Sequence, residues 1–470
     1  MKNFFTLILF ALLGTRGIAQ TCLLDSTFGT RGKAIGFTNF NNSPHSANII
    51  VQPDGKIIQA WHLYTTLNNY GFRLIRYNSN GSLDANFGSN GIVTTSFSQS
   101  GDDFVAASAL QADGKIIVAG TTNNQGNYDF ALARYKSNGT LDSSFGINGK
   151  LTTALGPDQD YASSVLLQSD GKIIVAGSTS RLDSILCPGS PYYVPVSAIV
   201  RYNSNGSLDS SFGKNGKIVL PLGKGYDHAN SLAFQQDGKI VVAGTSYYSC
   251  GCGYYGGAEC YNSFLVLTRL NNNGSVDSTF GKNGKATDSL LLTNPSSVAL
   301  QPDGKIVVTG RGLQQGFIAE RFNSNGKLDS SFANGGKVLT IIGGIGMDDS
   351  WSNAITIQPD GKIVLAGGVY VNGTSFSDFA IVRYSGNGSL DTTFNKNGIV
   401  VIHVGPSGSY DMATGVALQG SKIIAGGYSR GSNPSGSIQV IRFPDSFNQY
   451  QLPYHPKLLL LSAKEELSLC

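Results

Sequence analysis

Five aspartates recur at nearly the same place in successive stretches of this 470-residue chain. Asp103, Asp160, Asp227 and Asp411 each stand eight residues before a repeated glutamine, and Asp349 stands one position off that register. Aromatic residues accompany them at Tyr161, Tyr226, Trp351 and Tyr410. Carboxylates grouped with aromatic rings could hold a cation, a sugar or a basic peptide, and two of them could supply the acid and base of a glycoside hydrolase. Aspartate also starts strands and closes turns, where its side chain accepts nearby backbone N–H groups. Nothing in the spacing singles out a catalytic pair among the five.

Four of the six cysteines fall in two long segments: Cys187 within 178–197, and Cys250, Cys252 and Cys260 within 245–263. Disulfides are expected, either inside the second segment or across to Cys187. The rival is a zinc site, but Cys-x-Cys is not the usual spacing of structural zinc ligands. Both segments also carry tyrosine with glycine and serine, a composition suited to adaptable contact surfaces. Other chemistry is missing. The five histidines are scattered with no H-E-x-x-H pair, and there is no G-x-S-x-G elbow and no phosphate-binding loop. No catalytic residue, metal site or cofactor is assigned. The net charge is +4, with no run of lysine or arginine, so the basic footprint of a nucleic-acid binder is absent.

The elements that must position these residues come from repetition. Three markers recur in fixed order, seven times each. The first is Leu-Asp-x-x-Phe, with its aspartate at Asp25, Asp84, Asp142, Asp209, Asp277, Asp329 and Asp391 and with Val276 in place of the leucine in the fifth copy. The second is Gln-x-Asp-Gly-Lys-Ile, which decays to Gln419-Gly420-Ser421-Lys422 in the last copy. The third is an arginine at Arg76, Arg134, Arg201, Arg269, Arg321, Arg383 and Arg442. Each copy holds four short strand candidates, s1 to s4. Asp-Gly joins s2 to s3, a strong hairpin signal because primed turns need positive φ at both central residues. Abundant glycine (60 residues) and only four glutamates fit strands and tight turns rather than helices. The expected fold is all-β: a seven-bladed β-propeller of four-stranded antiparallel blades over residues 22–443.

The strings Gln-x-Asp-Gly-Lys-Ile-Val-Val-Ala-Gly and Arg-Tyr-Asn-x-Asn-Gly-Ser-Leu-Asp-x-x-Phe-Gly resemble the delta-60 repeat. That resemblance implies a β-propeller in a secreted or surface bacterial protein and implies no particular chemistry. The departures are local: Trp61 replaces the glycine that ends s3 in the first copy, and the last copy lacks its Asp-Gly turn.

Residues present in every copy read as architecture, since one site does not need seven copies. In s4, Arg134 shares strand parity with Phe130 and Leu132, so it belongs to a buried face and needs a partner. The Leu-Asp carboxylate is the candidate, giving the structural pairs Arg76 with Asp84, Arg134 with Asp142, and Arg201 with Asp209. Calcium bound at Asn78-x-Asn80-Gly81-x-x-Asp84 is the alternative, but the string lacks the carboxylate density of such loops. Strand s2 is small and Ser/Ala-rich, so it is expected innermost. The N-terminal s1 would then close the last blade as its outer strand; otherwise each copy is one whole blade.

The s1–s2 and s3–s4 loops share one end of the sheets and hold almost all the variation, which is where binding residues tend to sit. Lys2, the apolar run 4–13 and the small residues to Ala19 have the layout of a signal peptide at 1–19. Ten apolar residues fall short of a membrane span. Residues 444–470 lie outside the repeat and could include a short helix. The expected protein is a secreted or cell-surface monomer that binds or scaffolds an extracellular protein or glycan. The alternative is a hydrolase or lyase acting on polysaccharide or peptide through the aspartates.

Overall fold

The computed structural model describes residues 23–38, 45–64, 70–97, 102–183, 192–223, 225–248, 262–288, 292–312, 315–342, 350–370, 376–431 and 436–444. The signal-peptide segment, all six cysteines, Asp349 and the tail after Pro444 lie outside the described residues. The described residues form 28 strands and no helix. No helix among them is long and apolar enough to cross a membrane.

Strand β1 is Lys33–Thr38. The first blade is β2 (His45–Val51), β3 (Ile57–Tyr64), β4 (Tyr70–Tyr77) and β5 (Ile92–Thr95). The second is β6 (Asp103–Leu110), β7 (Ile116–Asn124), β8 (Asn127–Tyr135) and β9 (Lys150–Thr153). The third is β10 (Tyr161–Leu167), β11 (Ile173–Asp183), β12 (Tyr192–Tyr202) and β13 (Lys217–Val219). The fourth is β14 (Tyr226–Phe234), β15 (Ile240–Tyr248), β16 (Asn262–Leu270) and β17 (Lys285–Asp288). The fifth is β18 (Leu292–Leu300), β19 (Ile306–Gly312), β20 (Phe317–Phe322) and β21 (Lys337–Thr340).

The expectation of seven four-stranded blades is corrected here. Five four-stranded blades are present, and the other eight strands run together as one sheet. That sheet holds β22 (Ser350–Ile357), β23 (Ile363–Tyr370), β24 (Ser377–Tyr384) and β25 (Ile399–Ile402) in one half. Its other half holds β26 (Tyr410–Gln419), β27 (Lys422–Arg430), β28 (Ser437–Arg442) and β1. The cause is local. Ser377 at the start of β24 pairs in parallel with Tyr410 at the start of β26, and the Ser377 hydroxyl donates to the Asp411 carbonyl. These contacts join residues from different repeats, so no single repeat encodes them.

Strand s2 is the inner edge of each of the five separate blades, and β22 is that of the double sheet; together with β26 these strands touch one another around a closed ring, β2 against β26 included. The N-terminal β1 pairs antiparallel with β28, from Lys33 opposite Ile441 to Thr38 opposite Ser437. The third strands are continuous apolar runs, as in Ile116–Ala119, because both of their faces are covered by neighbouring sheets. The core lies in the layers between sheets: Ile117, Leu132 and Phe145 of the second blade pack with Ile173, Val175 and Val200 of the third.

Every inner strand also carries a register shift near its start. It falls between Val105 and Ala107, Ala162 and Ser164, Ala229 and Ser231, Pro295 and Ser297, Ser352 and Ala354, and Ala413 and Gly415. In β2 it falls between Ser46 and Ile49. A bulge adds one unpaired residue and re-aims the side chains beyond it. Which residues face the channel and which turn inward follows from these seven bulges.

Candidate functional site

The repeated charges meet in one network. Arg76 Nε lies 2.8 Å from Asp84 Oδ2, Arg134 Nε 2.9 Å from Asp142, and Arg201 Nε 2.8 Å from Asp209. The other four copies repeat the pair, ending with Arg442 and Asp25 at 2.9 Å. Each guanidinium also covers the phenylalanine of its own Leu-Asp-x-x-Phe, 4.3 Å to the ring centre for Arg76 over Phe87. The lysine of Gln-x-Asp-Gly-Lys approaches the same carboxylate, as Lys239 does to Asp277 at 2.9 Å. Arginine Nη1 then donates to a turn carbonyl of the next repeat, Ser324 O for Arg269 at 2.7 Å. This face of the molecule spends its charges on holding blades together.

The opposite face carries the candidate aspartates, and four of them are buried. Asp103, Asp160, Asp227 and Asp411 have no exposed surface. Each accepts backbone N–H groups from the loop that precedes its strand. Asp103 takes Phe97 N at 2.8 Å, and Asp160 takes Leu155 N at 2.6 Å. Asp227 takes Leu222 N and Gly223 N, and Asp411 takes Val404 N and Gly405 N. Burial pushes the Asp103 and Asp160 carboxyls above the usual range. The four sit one to an inner strand, each serving its own loop, and are not gathered at a shared opening. In the fifth blade Glu320, reaching from β20, accepts Leu292 N instead.

The aromatic candidates are distributed. Tyr161 is exposed and stacks on Tyr128 at 5.4 Å. Trp351 is buried beneath the Arg311 guanidinium, 4.5 Å from the ring centre. Tyr410 lies between Tyr370 and Tyr428, with ring centres 5.9 and 6.2 Å away. Burial raises the Tyr410 hydroxyl and pushes Tyr428 up to about 12. Tyr226 lies parallel to Tyr247, 5.0 Å between centres and 1° between planes.

Tyr247 of that last pair lines an open cleft of about 450 Å³. The fourth blade supplies His228, Asn230, Thr245 and Tyr247 to its lining. The third supplies Ser163, and the fifth supplies Asn294, Pro295 and Ser296. Ser163, Asn230 and Ser296 are bulge residues, which is why small polar side chains of the inner strands look into the opening. Asn230 Nδ2 donates to Pro295 O at 2.7 Å and Asn294 Oδ1 at 3.0 Å, stitching the fourth inner strand to the fifth. Asn353 does the same to Ala413 O at 2.8 Å across the double sheet. The sequence placed Tyr226 and Tyr247 on this face but missed the lining of the inner strands. The available signal was position five before the repeated glutamine, which reads Ala106, Ser163, Asn230, Ser296, Asn353 and Thr414 and is small or polar in every one of these copies. Burial depresses the His228 imidazole, against the pull of Asp227, so it is neutral at neutral pH.

A second cluster marks the seam of the double sheet. His403 Nδ1 lies 2.8 Å from Asp378 Oδ1 and 3.2 Å from Asp411 Oδ2, and its Nε2 lies 2.8 Å from Pro406 O. Among the described residues these three are the one group whose ligand atoms are close enough to share a metal ion. The charges around it already balance. Pro406 O can only accept, so Nε2 carries a proton, and two carboxylates facing Nδ1 call for a second proton there. Lys33 Nζ, 3.0 Å from His403 O, adds a further positive charge. The Asp378 hydrogen bond raises the His403 pKa, with burial opposing and Asp411 reinforcing it.

This fold and this face are those of a β-propeller. The family model described as "Domain of unknown function (DUF5122) beta-propeller" matches residues 52–87, 111–145, 168–188, 189–212, 235–251, 261–280, 301–332 and 358–394. The match supports an uncharacterised β-propeller repeat family. Among solved structures, a protein of unknown function from Dyadobacter fermentans is 13% identical, covering 87% of this chain and 98% of its own, with a TM-score of 0.45. The polysaccharide lyase Uly1 is 10% identical, covering 86% and 92%, with a TM-score of 0.44. The α-L-arabinofuranosidase Arb93A from Fusarium graminearum is 11% identical, covering 76% and 98%, with a TM-score of 0.44. No curated protein matches the sequence.

Proposed function

We propose that the protein is a secreted or cell-surface binding module whose working surface is the face bearing the s1–s2 and s3–s4 loops. The observation that carries this reading is the division of labour between the two faces. The Asp-Gly face is occupied by the repeated Arg–Asp–Lys network, whereas the other face is irregular from blade to blade and opens into the cleft beside Tyr226 and Tyr247. Rigid scaffolds commonly present ligands with such variable surfaces. The signal-peptide layout of residues 1–19 supports export. Hydrolysis or elimination is less well supported, because four of the five candidate carboxylates are buried and engaged by backbone N–H groups rather than open to substrate.

The two faces can be tested against each other. Protein starting at residue 23 would be passed over arrays of immobilised extracellular glycans and proteins. Tyr226→Ala with Tyr247→Ala should abolish whatever binding is found. Asp113→Ala with Asp237→Ala, on the Asp-Gly face, should leave it intact. Binding that follows the second pair and ignores the first would overturn the assignment of the working face.

A further inference from the structure

We infer that the cleft between the third, fourth and fifth blades is a subsite for an uncharged, hydroxyl-rich ligand, namely a neutral oligosaccharide. The inference rests on the reading of this face as the working surface and goes on to name the ligand class.

Hydrogen-bonding capacity is the first argument. Among the described residues the Ser163 and Ser296 hydroxyls, Asn230 Oδ1 and Asn294 Nδ2 make no hydrogen bond, although the other ends of both amides are committed. Spare donors and acceptors side by side suit a sugar hydroxyl, which gives and takes in the same place. An apolar ligand would leave these groups unsatisfied at a cost for each.

Charge is the second. None of the eight lining residues is ionised at neutral pH, since burial keeps His228 neutral. An anionic ligand would lose its hydration and find no cation among these eight residues. Among the described residues of this face, Lys285 is spent on the Pro221 and Leu222 carbonyls at 2.7 and 2.9 Å. A cationic ligand fares no better, because the Asp227 carboxylate beneath is buried and held by Leu222 N and Gly223 N.

Shape is the third. Tyr226 and Tyr247 lie parallel, and the His228 ring stacks 6.0 Å from Tyr247 at 16°. Rings layered in this way present an outer apolar face and polar edges, and Tyr247 and His228 bring them to the cleft, which suits the C–H face and hydroxyl rim of a pyranose. A volume of about 450 Å³ is that of a small-ligand site.

The test is isothermal titration of the protein from residue 23 with hexaoses of glucose, xylose, mannose and galacturonic acid, and with an uncharged hexapeptide. At least one neutral hexaose should bind. Ser296→Ala, which removes a hydroxyl that makes no hydrogen bond within the protein, and Tyr247→Ala should each weaken it by roughly tenfold, the first with the melting temperature unchanged. Galacturonate binding as tightly as the neutral sugars would overturn the inference, as would neutral-sugar binding that neither substitution affects. If only the peptide binds and Tyr247→Ala abolishes it, the ligand class is wrong while the working face stands. If sugar binding is lost instead through Asp113→Ala and Asp237→Ala, the face itself is wrong.

Discussion

His403 is the one residue in the seam of the double sheet whose charge state decides whether its surroundings balance. It follows β25 at the place where Ala154 follows β9, and Asp378 precedes Phe379 as Asp129 precedes Phe130. The chain therefore contains its own comparison. Beside Ala154 the carboxylates Asp129 and Asp160 are both pushed up by burial, and the charge of Asp129 adds to the effect at Asp160. Beside Asp378 and Asp411 an imidazolium supplies the compensating charge, with Lys33 approaching from β1 and Pro406 O holding the far nitrogen. Because the folded His403 pKa is raised, its contribution is fully present below the unfolded value of about 6.5 and is lost as pH rises through the folded value. Thermal melts of wild type and His403→Gln should therefore differ most near pH 5.5 and converge by pH 9. A gap that is constant or widens with pH would mean that Nδ1 carries no proton in the folded protein.

At the scale of the element, the turns show how repeats are made to fit one another. Gly206, in the turn after β12, has φ +90°, and a Cβ there would lie 3.0 Å from the Phe145 ring and 2.8 Å from Leu151 of the preceding blade. Gly238, in the turn between β14 and β15, has φ +80° with nothing within 4 Å. Alanine at either site incurs the left-handed backbone penalty of about 1 kcal/mol, and only Gly206→Ala adds overpacking of about 1–3 kcal/mol. Urea unfolding should rank Gly206→Ala clearly below Gly238→Ala, and equal midpoints would show that the blade–blade contact yields. Six of the seven Arg–Asp pairs and the Asp-Gly turns could be read in the sequence because their partners stand at fixed short spacing, eight residues in each pair. Two features could not. The bulges turn Asp103, Asp160, Asp227 and Asp411 inward and bring Ser163, Asn230 and Ser296 to the channel, yet an extra unpaired residue leaves the sequence period of the repeat unchanged. The pairing of Ser377 with Tyr410 joins residues of separate repeats, which no strand pattern encodes.

For the whole molecule the decisive segment is 23–38, because it closes the ring. Asp25 meets Arg442 at 2.9 Å and Lys422 at 2.6 Å, and these contacts with Thr27 outweigh burial and hold its carboxyl down at about 2. Phe28 lies under Arg442, Gly29 N donates to Asn80 O of the first blade, and β1 covers the edge of β28. One short segment thus ties the end of the ring to its beginning and to the double sheet, where Lys33 reaches His403 O. A chain starting at residue 39 would leave the Arg442 guanidinium buried beside no carboxylate, a cost of about 3–5 kcal/mol. It would also bare β28 as an unpaired edge. Its melting temperature should fall further than that of Gly206→Ala, and sedimentation should show association that grows with concentration. A synthetic peptide of residues 23–38 added in trans should restore both, since it supplies the strand, the carboxylate and the aromatic ring together. If the shortened chain stays monomeric and melts with the wild type, β1 merely decorates the ring, and the inner strands together with the six remaining Arg–Asp pairs suffice to hold it closed.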